Sequence, residues 1–404
     1  MDNIWTTTLL QAGALFAQEQ STILHFGNPV AELEAARNGN IFSDLAQYRL
    51  VRFSGEDAQQ FLSNLLSSDV RKLQIGEYQY STFSTPKGRM LASTLVVRTA
   101  TDYLLLMPAD IAGPIQRKLS MYILRSKVKA SPQSTDEILL GIAGTGATQA
   151  LADQFGVQTD SNMQAKIVDE TILISLDQQC WIVLTSPENA TAMYGKLKSH
   201  SFVAAGSNAW NWRWIQRGFA WIYNETQEQF VAQMANMECL GAVSFSKGCY
   251  PGQEIVARTQ YLGKLKRRMS LVHIDTDLNN AKRGTSLYSR ELPGQAIGMI
   301  ADVASAPDGG VDALAVVQSS CWAHGVALGS EAGPQLHAKP LPYVPVLNPT
   351  DITVALALAG CALWLVRVRQ SGIAGVPQSI HSSRWTLVLA GLGSVDLVVP
   401  FDED

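Results

Sequence analysis

Short β-rich runs separated by turn residues set the limits on how this chain can fold. Tyr78–Ser84 and Met90–Arg98 are two such runs, and the turn between them holds Pro86 and Gly88, so the pattern predicts a hairpin. Residues 103–107 form a third apolar strand. Helical spacing appears between such runs, at Ala58, Phe61, Leu62 and Leu65, and again at Ile111, Ile115 and Leu119, followed by a short strand near Val128. A second, similar set starts at Ile138-Leu139-Leu140 and runs through Ile172-Leu173-Ile174 and residues 181–184 to about Ala205. Helices mixed with hairpins imply an α+β fold. The pattern divides into two α+β units, about 41–135 and 136–205, joined by 206–262.

Residues 209–222 are dense in tryptophan, with Trp210, Trp212, Trp214 and Trp221. A core helix joining the two units is the expectation, and an aromatic nucleic-acid platform is the alternative. After Gly263 the pattern changes to strands with frequent turns, at 269–274, 285–288, 296–303 and 313–317, with a turn at Asp308-Gly309-Gly310. This predicts a C-terminal antiparallel β-barrel over 263–345. Pro334, Pro340, Pro342, Pro345 and Pro349 punctuate a stiff extended linker. The tail, 346–404, has an uncharged apolar stretch at 352–366 followed by Arg367 and Arg369, and a second at 385–399 broken by Asp396. The first is shorter than the roughly 20 residues a spanning helix needs. A membrane hairpin or interfacial anchor is one reading, and a tail packed on the domain is the other. Residues 1–40 read as a lead-in with a short helix around Leu9, Leu10 and Leu15.

Composition bounds the function classes. A chain of 404 residues with 47% hydrophobic content can build two or three real cores. Its net charge of −4 excludes a global attraction to nucleic acid, so any such contact comes from local patches. The cysteines, Cys180, Cys239, Cys249, Cys321 and Cys361, are odd in number and include no CxxC pair, which points away from a disulfide framework and toward a reducing, cytoplasmic setting. The first basic residue is Arg37, so no secretory signal is read.

Chemistry concentrates in Lys247-Gly248-Cys249-Tyr250-Pro251-Gly252-Gln253-Glu254. Gly248 and Gly252 let the backbone turn sharply or approach a ligand. Lys247 stands two residues before Cys249, and a nearby cation makes a thiol more reactive. Tyr250 offers a flat face for stacking. Gln253 and Glu254 add donors and acceptors. The plainer reading is a tight turn with Cys249 merely packed.

This run resembles the signature of the YgfZ proteins, the folate-binding relatives of the glycine-cleavage T-protein (GcvT). The resemblance continues through Ile255-Val256-Ala257-Arg258 and reaches upstream into residues 230–237 and 241–245. Gly55-Glu56-Asp57-Ala58 with Phe61-Leu62 and Ser68-Asp69-Val70 resembles the family's first helix, and Thr85-Pro86-Lys87-Gly88-Arg89 its first hairpin turn. In all it covers about residues 40–340. It implies two ferredoxin-like units around a central folate site, then a β-barrel. It also implies tetrahydrofolate or a derivative as ligand, and a cytoplasmic role assisting iron–sulfur enzymes, tRNA-modifying ones among them. On that footing Cys249 and Lys247 are the candidates for chemistry, and Tyr250, Gly248, Gly252, Gln253, Glu254 and Arg258 for binding the cofactor. The chain departs from the family pattern at Ala232, where proline is usual, and at Gln216, where glutamate is common. No motif places the carboxylate that the T-protein ties to aminomethyl transfer. A tetrahydrofolate-dependent aminomethyltransferase is therefore the alternative, and an RNA- or protein-binding module without a small ligand is the third reading.

Other patterns lead less far. Residues 141–146, GIAGTG, lack the third glycine of a dinucleotide fingerprint and the Walker lysine. Cys321 and His324 have the spacing of half a metal site without a second pair, so no metal is expected. Two basic stretches contain no acidic residue: Arg117, Lys118, Arg125, Lys127 and Lys129, then Arg258, Lys264, Lys266, Arg267 and Arg268. A solvated face is the plain reading of both. The alternative is an anion site, for a polyglutamate tail or RNA phosphate.

Overall fold

The computed structural model describes residues 3–17, 22–156, 164–261, 265–344, 382–389 and 393–400. The chain divides into two compact units, Met1–Val346 and Leu347–Asp404.

In the first unit, the expected hairpin grows into a five-stranded antiparallel sheet in the order Tyr78–Ser84, Met90–Arg98, Asp102–Pro108, Tyr48–Ser54, Lys129–Pro132. The helices Ala58–Leu65 and Ala109–Ser120 bury Phe61, Leu62, Ile111, Ile115 and Leu119 against Val51, Phe53 and Leu105 of that sheet. These are the residues whose helical spacing marked them for burial.

A six-stranded sheet follows, in the order Gln164–Val168, Thr171–Asp177, Cys180–Thr185, Ile138–Ala143, Ile41–Asp44, Val203–Ala204. Ile41–Asp44 precedes the first sheet in sequence yet pairs with Ile138–Ala143. The lead-in is likewise part of this layer. Trp5 and Leu9 of the helix Ile4–Gln11 pack with Phe42, Leu140 and Trp181, and Trp5 Nε1 donates to the buried Asp44 carboxylate at 2.7 Å. The glycine-rich run at 141–146 serves packing here. A Cβ on Gly141 would stand 2.4 Å from the Trp210 ring, and Gly144, at φ +128°, lies against Gly39 and Asn40. The Asn40 side chain also accepts the Gly146 N–H at 2.8 Å.

The C-terminal strands Arg267–Ile274, Ser286–Tyr288, Gly298–Ser305, Val311–Gln318, Ala327–Leu328 and Leu336–Lys339 form a curled antiparallel sheet, a half-barrel. The expected turn at 308–310 is present, with the Ala306 N–H donating to the Gly310 carbonyl.

One core joins the three sheets. Tyr80 and Leu95, Ile174 and Ile182, and Met269 and Leu314 converge on Trp210, Trp214, Phe219 and Trp221. Trp214 stacks on Trp221 with centroids 5.1 Å apart, and Tyr80 on Phe219 at 4.5 Å. The tryptophan-rich helix Ser207–Gln216 is thus a core element with no aromatic platform to offer a nucleic acid. Its polar face is tied to the half-barrel through the buried Asp312. That carboxylate accepts from Trp212 Nε1 at 2.9 Å, Gln216 Nε2 at 3.0 Å and Lys339 Nζ at 2.8 Å, and lies 2.9 Å from His273 Nδ1. Burial alone pushes the Asp312 carboxyl up, but the hydrogen bonds from Lys339, His273 and Trp212 together hold it below the usual range.

In the second unit, Ser382–Leu389 and Gly393–Pro400 pair as an antiparallel hairpin across the second apolar stretch. The first apolar stretch, 352–366, and Cys361 lie outside the described residues. Among the described residues no helix is long and apolar enough to cross a membrane.

Candidate functional site

Residues 247–252 of the run fold as a loop wedged between the end of the helix Ala58–Leu65 and the first-sheet turn at 85–89. Its anchor is Lys247. The side chain is buried, with 6% of the residue exposed, and Nζ donates to the backbone carbonyls of Ser63, Leu66 and Ser68, the last at 3.0 Å. The last carbonyls of a helix lack intrahelical partners and carry the negative end of its dipole, so a buried ammonium is well placed there. Nζ also lies 4.8 Å from the centre of the Tyr250 ring, a cation–π contact inside the same loop. Burial lowers the Lys247 ammonium to about 8.

An ammonium has three protons, and all three are spent on carbonyls. Lys247 therefore has none left for Cys249. Cys249 is exposed, whereas Cys180 and Cys321 are buried.

The glycines of two distant motifs meet. Gly252 has φ +83°, and a Cβ there would lie 2.6 Å from Gly88 Cα and 2.7 Å from the Thr85 carbonyl oxygen. Gly88, at φ +72°, in turn faces Ile255. Both positions need the left-handed conformation and the missing side chain, which lets the backbones touch. Gly248 faces open space. Tyr250 is buried and its hydroxyl has no hydrogen-bond partner, and burial pushes that group up to about 12. Gln253 opens the helix Gln253–Tyr261, on which Glu254 and Arg258 are exposed.

The upstream block locks this helix to the half-barrel. Gln233 Nε2 donates to the Val256 carbonyl at 2.6 Å, and Asn236 Nδ2 to the Met269 carbonyl at 3.0 Å. Arg268 donates to Asn236 Oδ1 at 3.1 Å and to Glu238 at 2.9 Å, while Arg267 donates to the Ala296 carbonyl at 3.1 Å. These two cations of the second basic stretch thus serve as internal fasteners. Lys266 is exposed, and Lys264 lies outside the described residues.

Two cavities flank this framework. One of about 480 Å³ is lined by Ser68, Asp69, Gln79, Val243, Phe245 and Tyr261, and the Ser68 carbonyl is one that Lys247 binds. The other, of about 810 Å³, lies where the second sheet, the tryptophan-rich helix and the end of the half-barrel meet. Trp212, Arg213, Gln216, Arg217, Leu240 and Tyr343 line it. Arg217 pairs with the Asp177 carboxylate, donates to the Leu176 carbonyl at 3.0 Å, and keeps a buried Nε without a partner. Tyr343 closes one side. Its hydroxyl donates to the Gly218 carbonyl at 2.6 Å, and its ring packs where a Gly218 Cβ would stand.

None of the eight residues singled out in the sequence lines this junction cavity. Arg213, Arg217 and Tyr343 are the residues that sequence reasoning missed. The signal was present: two arginines inside an otherwise apolar, tryptophan-rich segment are costly to bury and so point to a polar site.

Comparison with known proteins fits this geometry. Residues 16–169 match the model of the GCVT N-terminal domain. The tRNA-modifying protein YgfZ of Cronobacter sakazakii is 29% identical over 227 residues, 56% of this chain and 68% of the relative. The protein of that name from Escherichia coli is 26% identical over 302 residues, 74% of this chain and 92% of the relative. The crystal structure of the glycine cleavage system aminomethyltransferase T from Bartonella henselae superposes with a TM-score of 0.67 at 18% identity, over 85% of this chain and 98% of that one, a likeness of fold. The half-barrel and mixed sheets described above are that fold, and the glycine-on-glycine contact joins the two motifs that carried the resemblance: the chain is similar to the YgfZ-type proteins of the GcvT superfamily.

Proposed function

We propose that this protein binds a reduced folate and, in the cytoplasm, assists iron–sulfur enzymes, in a role linked to tRNA modification. The observation that carries the folate reading is the junction cavity. At about 810 Å³ it falls within the roughly 300–1,000 Å³ of small-molecule sites. It pairs aromatic walls, Trp212 and Tyr343, with the cations Arg213 and Arg217. Tetrahydrofolate is a flat ring system ending in carboxylates, and such a ligand meets both needs: rings against aromatic faces, carboxylates against guanidinium. In this reading the second sheet, the tryptophan-rich helix and the end of the half-barrel surround the folate. The signature loop sits beside them, with Tyr250, Gly248, Gly252, Gln253, Glu254 and Arg258 shaping the surface that presents Cys249. Cys249, exposed on an anchored loop, is the group proposed to react, with Lys247 fixing the loop's position.

The name tRNA-modifying protein borne by the relatives supports the link to tRNA modification. Against the aminomethyltransferase alternative stands one feature of the cavity. Its carboxylate Asp177 is already taken up by an ion pair with Arg217 and by the Gln179 N–H, which leaves it engaged rather than free for a substrate amine. The test is complementation of cells lacking the protein, scored by the level of tRNA modifications that iron–sulfur enzymes install. Wild type should restore them and Cys249→Ala should not, at equal protein level. Full restoration by Cys249→Ala removes Cys249 from the chemistry.

A further inference from the structure

A second surface, remote in sequence from the signature, gathers basic side chains. The helix Ala109–Ser120 ends in Arg117 and Lys118, and the chain turns through Arg125 and Lys127 into Lys129 on the edge strand Lys129–Pro132. Lys127 is spent internally, since its Nζ pairs with Glu56 at 2.7 Å and its N–H donates to Asp57. The side chains of Arg117, Lys118, Arg125 and Lys129 make no hydrogen bond or ion pair with any described residue, and all but the half-buried Lys118 are exposed. From 111 to 133 the sequence contains no acidic residue.

The turn between them is tight and holds one residue in an unfavourable conformation. Ile123 packs beside the residues buried between the five-stranded sheet and its two helices, and the Ser126 N–H donates to the Ile123 carbonyl at 2.7 Å, so 123–126 is a tight turn. Leu124 inside it has φ +44° and is 88% exposed. A bulky residue in the left-handed region is disfavoured, and such outliers persist where the surroundings impose them. Met121 and Tyr122 stand exposed beside it. The surface is thus an apolar and aromatic tip set among four free cations.

We infer that this surface contacts tRNA, with Arg117, Lys118, Arg125 and Lys129 on backbone phosphates and Tyr122, backed by Leu124 and Met121, against an unstacked base. The inference rests on the proposed link to tRNA modification and names its point of contact. Three observations favour RNA. The cations are spread over a helix end, a turn and an edge strand, as a chain of phosphates requires. The protein's net charge of −4 means that a polyanion must be met by a local patch. Single-stranded RNA loops are recognised by aromatic and guanidinium stacking next to phosphate contacts.

The experiment is fluorescence anisotropy of a labelled, unmodified tRNA transcript with the full chain. Four phosphate contacts give a slope of log K against log salt of about −3, or about sixty-fold weaker binding at four times the salt. The quadruple variant Arg117→Gln, Lys118→Gln, Arg125→Gln, Lys129→Gln should lose both the binding and the slope, while Lys196→Gln with Lys198→Gln, on another helix, should keep them. Thermal melts and tetrahydrofolate titration check that the quadruple variant is folded and that its folate site is intact. No tRNA binding by the wild type, or equal binding by the quadruple variant, overturns the inference and leaves the folate reading standing. Leu124-dependent binding to phosphatidylglycerol vesicles with no binding to tRNA also overturns it, in favour of a lipid surface.

Discussion

The contact between Gly252 and the 85–89 turn can be tested by one methyl group. In Gly252→Ala the new Cβ would arrive 2.6 Å from Gly88 Cα and 2.7 Å from the Thr85 carbonyl oxygen, and the residue would have to hold φ +83°. The left-handed conformation costs about 1–2 kcal/mol. Forcing a methyl into packed backbone adds about 1–3 kcal/mol, because neither neighbour is a flexible side chain. The sum is a destabilisation of about 2–5 kcal/mol. Gly248→Ala, four residues away, meets nothing within 4 Å and should stay within about 0.5 kcal/mol of wild type. Urea denaturation of the two variants beside wild type reads the difference. Equal midpoints for Gly252→Ala and Gly248→Ala would refute the argument that the two motifs are held together by bare backbone.

The buried lysine predicts a pH signature. The Lys247 ammonium falls to about 8 in the fold from 10.5 in a free chain, so between those values the unfolded chain binds more protons. The stability Lys247 contributes is therefore complete above the unfolded value and lost as pH falls through the folded one. Wild type minus Lys247→Met should grow by on the order of 2 kcal/mol from about pH 8 to about pH 10, and a flat difference contradicts the burial. Iodoacetamide followed by mass spectrometry should modify Cys249 faster than Cys180, which is buried and whose thiol burial pushes up to about 11. Equal rates contradict an accessible Cys249. Truncation after Val346 should leave the melting of the first unit unchanged. Truncation after Lys339 removes Leu341 and Tyr343 from Gly218 and should cost about 2–4 kcal/mol. The reverse order would move the boundary.

Local patterns were legible and distant pairings were not. The strands of the half-barrel and the hairpin around Pro86 and Gly88 follow from short continuous apolar runs and turn chemistry, both local in sequence. The helices at 58–65 and 109–120 follow from their apolar spacing. By contrast, Ile41–Asp44 pairs with Ile138–Ala143, and nothing in four residues states which sheet will accept them. The burial of the lead-in had the same cause, since Trp5 reads as useful only once Asp44 is seen beside it. At the site, the loop 247–254 was recognisable by residue type, but the destination of Lys247 was not, because the carbonyls it binds lie about 180 residues away in sequence. Arg267 and Arg268 read as a free basic run because their partners, the Ala296 carbonyl and Glu238, come from other elements.

The central claim is that the cavity lined by Trp212, Arg213, Gln216, Arg217 and Tyr343 takes a reduced folate. Isothermal titration of the full chain with tetrahydrofolate, on wild type and on Arg213→Gln, tests it most directly. Wild type should bind one equivalent with micromolar or tighter affinity, and loss of one charged contact should weaken it by about 1.5–3 kcal/mol, roughly ten-fold or more. Absence of heat and of thermal stabilisation at millimolar tetrahydrofolate, or equal affinity in both proteins, would contradict the assignment.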